Sequence, residues 1–459
     1  MILNTRSSNR NWVEPALAAV IIGGLIYSAW FLYNYSYLPP PFFFEPSDTY
    51  ADWFNTAFWA RNPGAYDVWR SVYPPLSFVL LRSIGIDRCY PDRRPYDFSA
   101  GLDARSCDWV GIVAIWVILA VNIALIWFSF RKIDPRTAVA RTICVGLGFP
   151  MVDAVERGNL VILSFTFLIL AFGPLVRSAK VRWLAIGLAI NLKIYLIAAI
   201  FPLLFKRRWT WVECATLSVV IVYLLSYAAF GHGSVVELID NIRSFSTYQP
   251  PQIMDMWYTS TYNTLLLLLS GDDVPMAMIL GSALVDQLLI IIPLLQHGTQ
   301  ALIILAFAAT WLRPEPVPRH RLVCLGIMLA LVTSEAGGYT HVYFLLFVLM
   351  EPWRGFGRRW AIVACYVLAL PLDVILDTAP EIQRDTYVGD AAVFINYHVT
   401  LGALLRPLIV QSVAVALSLV TISEVWADIR HQGWANRWRL RHDVPLLPWV
   451  KRPSPPQRV

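Results

Sequence analysis

The polar residues of this chain gather at the ends of its long apolar segments, and the two kinds of end differ in charge. One kind carries clusters of basic residues: Arg6 with Arg10; Arg131, Lys132 and Arg136; Arg177, Lys180 and Arg182; Lys206 to Arg208; Arg313, Arg319 and Arg321; Arg354, Arg358 and Arg359; and the tail from Arg430. The other kind carries polar turns: Glu156 to Asn159, Asn191 with Lys193, Asn263, and Glu335 to His341. By the positive-inside rule, the basic clusters mark cytoplasmic loops. The polar turns are then expected to share the outer, non-cytoplasmic face, where we predict a functional site.

The composition predicts a polytopic membrane protein. Of the 459 residues, 57% are hydrophobic and 19 are tryptophan, and the mean hydropathy of +0.55 lies outside the range of soluble domains. The net charge of +6 comes from juxtamembrane clusters, which set the topology and contact anionic lipid headgroups. No basic stripe with interleaved aromatic residues stands apart from the apolar segments, so nucleic acid is not a predicted partner.

The chain is predicted to contain one transmembrane domain followed by a tail. Residues 1–425 form the domain, and residues 426–459, rich in Trp and Arg and then in Pro, form a cytoplasmic interfacial tail. The stretch from Glu14 to Leu38 is too long for a signal-peptide core and lacks a cleavage site, so we expect an uncleaved first membrane helix. Two long outer loops follow, at residues 39–108 and 231–262.

Both outer loops contain amphipathic stretches. Apolar residues between Trp53 and Ala60 recur near helical spacing in the first loop, and the second contains such a stretch from Val235 to Phe245. We therefore predict helices that lie in the membrane interface.

Two of the six cysteines, Cys89 and Cys107, lie in the first outer loop. The topology places this loop in an oxidising compartment. The alternatives left open are a disulfide between them and two free thiols.

The remaining apolar segments predict further crossings, at Trp109 to Phe130, Thr137 to Val152, Leu160 to Val176, Trp183 to Leu192, Ile194 to Phe205, Trp211 to Phe230, Leu322 to Thr333, Val342 to Met350, Trp360 to Leu376 and Leu401 to Val425. The arms on either side of Lys193 are shorter than the roughly twenty residues of a full crossing, so they are predicted to form a short hairpin. The region from Asn263 to Leu312 crosses either once or three times. The fold class is therefore all-α and polytopic, with about 11–13 transmembrane or re-entrant helices.

A carboxylate that could act as a base lies just after the first membrane helix. Asp48 is placed where the chain meets the outer interface. It could instead cap the interfacial helix that follows, since Asp is a preferred N-cap residue. Asp52, one helical turn further on, is a competing candidate.

The outer turns supply cationic and amide groups. Glu156, Arg157 and Asn159 lie in a tight turn between two apolar segments, where a solvated surface ion pair is the alternative to a functional role. Lys193 lies at the tip of the short hairpin, where facing lipid would cost about 2.5–3.5 kcal/mol. It is therefore expected to point into a cavity or to reach the interface, and a cation there suits an anionic group such as phosphate.

A later turn brings further ionisable groups to the outer face. Glu335 and His341 flank a glycine-containing turn between two short apolar arms. Placing ionisable side chains within a membrane costs free energy, so the pair is expected to have a function. Asn263 ends the second outer loop and either binds a sugar hydroxyl or caps a helix.

Several familiar chemical motifs do not occur in the sequence. We find no glycine-rich phosphate loop, no pair of Cys or His residues at zinc spacing and no Gly-x-Ser-x-Gly elbow. A cytoplasmic nucleotide-sugar site and a cofactor are therefore not predicted. Asp48, Asp52 and Glu335 could hold a divalent metal, although their spacing does not require one.

These residues together resemble the GT-C superfamily of integral-membrane glycosyltransferases, and within it the polyprenyl-phosphate-mannose-dependent α-mannosyltransferases and their bacterial relatives. The resemblance covers most of the chain and rests on the order of motif residues, here Asp48, Gly64, Tyr66, Tyr73 to Pro75, Asn159, Lys193, Asn263, and Ser334 with His341. The sequence differs from the motif pattern of these enzymes at two places, and both differences bear on which sugar is transferred. Glu156 to Asn159 replaces a turn that usually carries Gly and Gln, and Glu335 replaces a proline after Ser334.

The resemblance implies transfer of a mannose-like or other sugar from a polyprenyl phosphate to a lipid-linked or cell-envelope glycan, with inversion, at the periplasmic face of the inner membrane. Asp48 would be the general base. The donor phosphate would be bound by Lys193, Arg157 and His341. Contacts to the sugar or the acceptor would come from Asn159, Asn263, Glu335, Glu156, Tyr66 and Trp53.

Two other functions are weighed against this one. An O-antigen ligase or polymerase also has an outer site, but it relies on a large late outer loop, whereas the large outer loop here is the first. A multi-pass lipid or glycan transporter or flippase would explain intramembrane Lys193 and His341, but the sequence lacks the internal repeats typical of transporters.

Overall fold

A computed structural model describes residues 12–42, 45–62, 64–90, 100–248, 261–271, 276–334, 337–388 and 392–436. The α-helices are α1 (Val13–Tyr35), α2 (Ala51–Trp59), α3 (Pro75–Ile84), α4 (Ala100–Asp103), α5 (Trp109–Ile133), α6 (Ala138–Gly146), α7 (Phe149–Glu156), α8 (Val161–Phe172), α9 (Ala179–Ile190), α10 (Pro202–Phe205), α11 (Trp209–Phe230), α12 (Val235–Tyr248), α13 (Asn263–Ser270), α14 (Met276–Leu280), α15 (Ser282–Leu312), α16 (Arg319–Leu331), α17 (Val342–Val348), α18 (Phe356–Leu368) and α19 (Leu401–Gln432). Short 3₁₀ helices lie at Pro46–Asp48, Asp87–Cys89, Ala104–Ser106, Ile194–Ala199, Gly338–His341 and Trp434–Asn436. The strands are β1 (Ile375–Arg384) and β2 (Val393–Thr400). The basic pair Arg6 and Arg10 and most of the predicted tail lie outside the described residues.

The all-α polytopic class is confirmed. Six helical segments in the described part of the chain are long and apolar enough to cross a membrane: α1, α5, the α6–α7 segment Ala138–Glu156, α11, α15 and α19. The predicted crossings between them are shorter helices, among them α8, α9, α16, α17 and α18. The short α17 is fully buried along its length in the large apolar core. By contrast, α1, α5, α11 and α15 expose most of their apolar surface, as lipid-facing helices do.

The predicted crossing from Thr137 to Val152 is divided into two helices. α6 ends at Gly146 and α7 begins at Phe149 after the cap residue Gly148. A β-carbon on Gly148 would lie 2.2 Å from the carbonyl oxygen of Cys144, so only glycine fits the break. Pro150 then occupies the first turn of α7, where its missing N–H needs no helical partner. As a result, α7 ends at the outer turn that carries Glu156.

The region from Asn263 to Leu312 contains one long span. α15 runs for 31 residues, whereas α13 has 8 residues and α14 has 5. Helices of these lengths cannot cross a bilayer. A single crossing is thus the alternative that agrees with the structure.

A β-hairpin was not predicted from the sequence. β1 pairs with β2 in antiparallel register, with Ile382 opposite Ile395 and Arg384 opposite Val393. The predicted crossing from Trp360 to Leu376 is therefore wrong at its end, because α18 stops at Leu368 and the chain then enters β1. The end of the hairpin contacts the first outer loop, where the backbone N–H of Tyr387 donates to the carbonyl of Pro46 (3.2 Å).

Buried ion pairs tie the helices together at the basic end of the molecule. Arg141 donates twice to the carboxylate of Glu14, from Nε at 2.8 Å and from Nη2 at 3.0 Å, and both side chains are inaccessible to solvent. Glu351 accepts from both Arg321 and Arg358. A buried charge without its partner is strongly destabilising, so these pairs specify how the basic ends of α1, α16 and α18 pack.

The first outer loop contains a disulfide between Cys89 and Cys107. The next residue, Asp108, caps α5 by accepting from the backbone N–H of Gly111 (3.2 Å), and it also accepts from the Tyr90 hydroxyl (2.5 Å). The predicted interfacial helix of this loop is α2, which is followed by α3. The disulfide thus fastens the loop to the start of a membrane-spanning helix.

Candidate functional site

The start of the first outer loop docks on the turn between α7 and α8. The backbone N–H of Tyr50 donates to the carbonyl of Glu156 (2.7 Å), and that of Asp52 donates to the carbonyl of Arg157 (3.0 Å). Gly158 has φ +62°, and a β-carbon there would lie 2.9 Å from Cβ of Trp53. The close approach and the left-handed backbone both require glycine. This docking brings Asp48 and Asp52 to the turn that carries Arg157.

Arg157 lies between the two carboxylates. Its Nη1 is 3.2 Å from Oδ2 of Asp48, and its Nη2 is 3.5 Å from Oδ1 of Asp52. The other oxygen of Asp52 accepts from the side-chain amide of Asn159 at 2.6 Å. Among the described residues, Asp52 is thus contacted by the side chains of Arg157 and Asn159 and Asp48 by that of Arg157, which favours Asp48 as the freer base.

Other groups fix the backbone around Asp48. Arg105 donates to the carbonyls of Ser47 (2.6 Å) and Thr49 (2.5 Å). The Thr49 hydroxyl in turn donates to Oε1 of Glu156 (3.1 Å), whose second oxygen is buried with no hydrogen-bond partner in the part of the chain that the structure describes. The residues on both sides of Asp48 are thus held in place from two directions, as a site with a fixed geometry requires.

Lys193 follows α9 and points toward an aromatic hydroxyl. Its Nζ donates to the Tyr73 hydroxyl at 3.5 Å and lies 4.5 Å from the centre of the Tyr73 ring. Burial lowers the pKa of the Lys193 ammonium to about 8, and the nearby charge of Asp52 opposes this change. Lys193 is therefore a partly desolvated cation close to the carboxylate pair.

Two ion pairs and one electrostatic interaction connect four of these groups, and we call this set the charged row. Asp48 interacts with Arg157, Arg157 with Asp52, and Asp52 with Lys193. Burial raises the pKa of the Asp48 carboxyl above its ordinary value, and the Arg157 guanidinium opposes this rise. A carboxylate with a raised pKa is a stronger base, and it lies here within a row that also carries two cations.

His341 belongs to a neighbouring buried cluster. Its ring packs against Phe344 with centroids 5.4 Å apart, neither ring nitrogen has a hydrogen-bond partner among the described residues, and its electrostatic neighbour is Arg406. Asp153, one helical turn before Arg157, lies within electrostatic range of both Arg157 and Arg406. Arg406 and Asp153 therefore connect His341 electrostatically to Arg157.

Several residues predicted to contact a sugar are buried or form hydrogen bonds within the protein. Trp53 and Tyr66 are only 1% and 4% exposed, and the Tyr66 hydroxyl donates to the carbonyl of Tyr73 (2.9 Å). Asn159 uses its amide for Asp52 and its oxygen to cap α8 by accepting from the backbone N–H of Val161 (3.0 Å). In this packing the binding groups of these three residues face the protein, and their sugar contacts stay a prediction.

Asn263, another predicted contact residue, has no contact with the charged row among the described residues. Asn263 begins α13, where its backbone N–H donates to the Thr261 hydroxyl (3.2 Å), and the adjacent Tyr262 donates to the carbonyl of Leu404 on α19 (2.6 Å). The cap residue of α13 is Tyr262, with no capping bond from a side chain, so the helix-capping alternative for Asn263 is not supported and its sugar contact stays a prediction. Glu335 lies outside the described residues.

Sequence reasoning missed three residues of the site. Tyr73, Arg105 and Asp153 contact or surround the charged row but were not among the predicted site residues. The Tyr-Pro-Pro motif does mark Tyr73. Arg105 has no such signal, because Ser47 and Thr49, to whose carbonyls it donates, lie far away in the chain. Asp153 lies only one helical turn before Arg157, but its other electrostatic neighbour, Arg406, is far away in the chain. No group of three or more His, Cys, Asp or Glu side chains gathers as a metal site in the part of the chain that the structure describes.

The chain matches one known protein family over more than half of its length. The model of Glycosyltransferase family 87 matches residues 72–334, more than half of the chain. The chain belongs to glycosyltransferase family 87. No curated protein and no solved structure matches it.

The family-87 match agrees with the GT-C resemblance and covers Asn159, Lys193 and Asn263. Asp48 and Asp52 precede the matched residues and His341 follows them. This family-87 protein is therefore a membrane glycosyltransferase, and the roles of Asp48 and His341 depend on the geometry described above.

Proposed function

We propose that the protein transfers a sugar from a polyprenyl phosphate to a lipid-linked or envelope glycan at the non-cytoplasmic face of the membrane, with inversion at the anomeric carbon. The supporting observation is the row that runs from Asp48 through Arg157 and Asp52 to Lys193. It places a base at one end and a cation at the other. Inverting transfer needs both, because a proton must leave the acceptor while negative charge develops on the leaving phosphate.

Asp48 is the proposed base. Oδ2 of Asp48 takes the proton of the acceptor hydroxyl while that oxygen forms a bond to the anomeric carbon. The bond between the anomeric carbon and the phosphate oxygen breaks, and polyprenyl phosphate leaves with the electron pair. A general base in this position contributes typically 10²–10⁴-fold to the rate.

Lys193 is the proposed partner of the leaving phosphate. Its ammonium is a compact charge in a partly desolvated place, where electrostatic stabilisation of a developing anion is stronger than in water. Arg157 assists from the middle of the row and holds Asp48 in place. His341 is the third proposed phosphate-binding residue, and it lies in the adjacent buried cluster that contains Arg406.

The side of the membrane is inferred from topology. In the sequence, the basic clusters lie at the helix ends opposite the polar turns, a pattern typical of cytoplasmic loops. The Cys89–Cys107 disulfide lies in the loop that carries Asp48, and disulfides persist in oxidising compartments. Both observations support an outer, periplasmic site in the plasma membrane.

The proposal is tested with purified protein in liposomes without ion or substrate gradients. The donors are a panel of radiolabelled polyprenyl-phosphate sugars, and the acceptors are extracted membrane glycolipids. We expect transfer from at least one donor, and that donor identifies the sugar. Movement of labelled lipid across the bilayer without transfer would contradict the proposal and favour a flippase.

A further inference from the structure

A polar groove lies between the end of the β-hairpin and the first outer loop. Its volume is about 450 Å³, and its lining consists of Glu45, Ser47, Gln383, Arg384 and Asp385. The volume falls within the roughly 300–1,000 Å³ of small-ligand pockets. Every lining residue is polar, which sets the groove apart from the apolar surface of the membrane-facing helices.

The walls of the groove are held by direct contacts. Nε of Arg384 pairs with Oε2 of Glu45 at 2.7 Å, and the Ser47 hydroxyl donates to Oε1 of Glu45 at 3.0 Å. The guanidinium of Arg105 lies 4.6 Å from the centre of the Tyr387 ring. Together with the bond from Tyr387 to Pro46 (3.2 Å), these contacts hold the two walls at a fixed separation.

The groove adjoins the proposed base. Ser47 is part of its lining, and Asp48 is the next residue of the same 3₁₀ helix, Pro46–Asp48. Lys193 lies at the other end of the charged row and interacts with Asp52. A molecule in the groove would therefore approach Asp48 from the end of the row that is opposite to the proposed phosphate partner.

The lining defines the chemistry of the ligand. Carboxylates and a side-chain amide accept from hydroxyl groups, and the amide and the guanidinium also donate. Two carboxylates against one guanidinium disfavour a phosphate, and the lack of apolar lining disfavours an isoprenoid or acyl chain. A neutral chain with many hydroxyl groups fits all of these properties.

We infer that this groove binds the terminal sugars of the acceptor glycan and directs the reacting hydroxyl to Asp48. The inference rests on the proposed function and names the acceptor subsite of that reaction. It also gives the β-hairpin a role, since β1 and the residues directly after it supply one wall.

The test replaces two exposed groove residues, Gln383 and Asp385, in the double variant Gln383→Ala/Asp385→Asn. Initial rates are measured with the active donor at saturation while the extracted glycolipid acceptor is titrated. Losing one or two hydrogen bonds to the acceptor predicts a rise in the acceptor KM of about tenfold. The donor KM is expected to stay within about twofold, because the donor phosphate binds at the other end of the row.

Two further variants keep the test decisive. Asp377→Asn makes the same change at an exposed position of β1 outside the groove, and we expect wild-type acceptor KM from it. Gln383→Ala alone trims one exposed amide and is expected to raise the acceptor KM by about threefold even if the double variant folds poorly.

Unchanged acceptor KM in both groove variants, with wild-type transfer intact, would overturn the groove assignment and leave the proposed function standing. Equal changes in donor and acceptor KM would also overturn it, since the groove would then not be specific for the acceptor. Lack of transfer by the wild type from every donor would overturn the proposed function and this inference together.

Discussion

Raising the pH should remove catalysis by deprotonating Lys193. The ammonium lies 3.5 Å from the Tyr73 hydroxyl, and burial lowers its pKa to about 8. The protonated form is the one that stabilises the leaving phosphate, so activity is present below the pKa and is lost as pH rises through it. Because kcat/KM reports the free enzyme, we expect it to fall about tenfold per pH unit above 8 and to reach about a tenth of its plateau at pH 9.

The pH profile of the Lys193→Arg variant tests this assignment against that of the wild type. A guanidinium stays charged throughout this range, so the alkaline decrease should disappear even if the plateau is lower because the larger group fits less well beside Tyr73. Lys180→Arg, an exposed lysine near the start of α9, is the matched control and should keep the alkaline decrease.

The assay is the initial rate of sugar transfer at sub-saturating donor between pH 6 and pH 10. Protein stability is followed over the same range, so that loss of fold is separated from loss of charge. A wild-type profile that stays flat to pH 10, or an alkaline decrease retained in Lys193→Arg, would refute the assignment of Lys193.

Three further predictions concern the structure around the site. Glu14→Gln removes the buried partner of Arg141 and should lower the free energy of unfolding by about 3–5 kcal/mol, measured by denaturation in detergent. Gly158→Ala should destabilise the protein by about 1–2 kcal/mol and reduce transfer, because φ +62° and the close approach of the first outer loop exclude a β-carbon. The denatured protein should show four free thiols without reductant and six with it, since Cys89 and Cys107 form a disulfide.

Matched variants define the outcomes that would contradict these predictions. Glu381→Gln changes an exposed carboxylate and Gly298→Ala adds a β-carbon where nothing lies within 4 Å, so both should behave as wild type. Equal stability of Glu14→Gln and Glu381→Gln would show that the buried pair does not hold α1 in place. Six thiols without reductant would disprove the disulfide.

Hydropathy predicted the long helices well because a membrane crossing is set by the length of an apolar run. The first helix was expected from Glu14 and begins at Val13, and the crossing expected from Trp109 begins there. The break at Gly148 could not be seen in the same way, because it depends on contact with Ala369, which lies far away in the sequence.

The β-hairpin was missed for a local reason. Ile375 and Leu376 continue the apolar run of α18, so the first residues of β1 look like the end of a crossing. The rest of β1 mixes polar residues and a proline without strict alternation, and strands of this kind carry a weak sequence signal. The groove beside Glu45 could not be predicted either, because Gln383 and Arg384 of β1 form part of its lining.

The site was partly predictable because its polar turns share one face. That argument brought Asp48, Arg157, Asn159 and Lys193 together, and the structure places them in or beside one charged row. The same pattern does not reveal how the aromatic residues of the first outer loop pack. An aromatic side chain in a loop suggests a sugar contact, but Trp53 is buried against the outer turn, and the sequence does not show such packing.

The role of Asp48 is tested most directly by comparing kcat for Asp48→Asn and Asp67→Asn with the active donor and extracted glycolipid acceptors. Both substitutions replace a carboxylate of the first outer loop by an amide, but Asp67 is exposed and accepts from the backbone N–H of the adjacent Val68 (2.8 Å). We expect kcat of Asp48→Asn to fall by about 10²–10⁴-fold and that of Asp67→Asn to stay within about twofold of wild type. Near wild-type turnover by Asp48→Asn would contradict the account and transfer the base to Asp52 or Glu156.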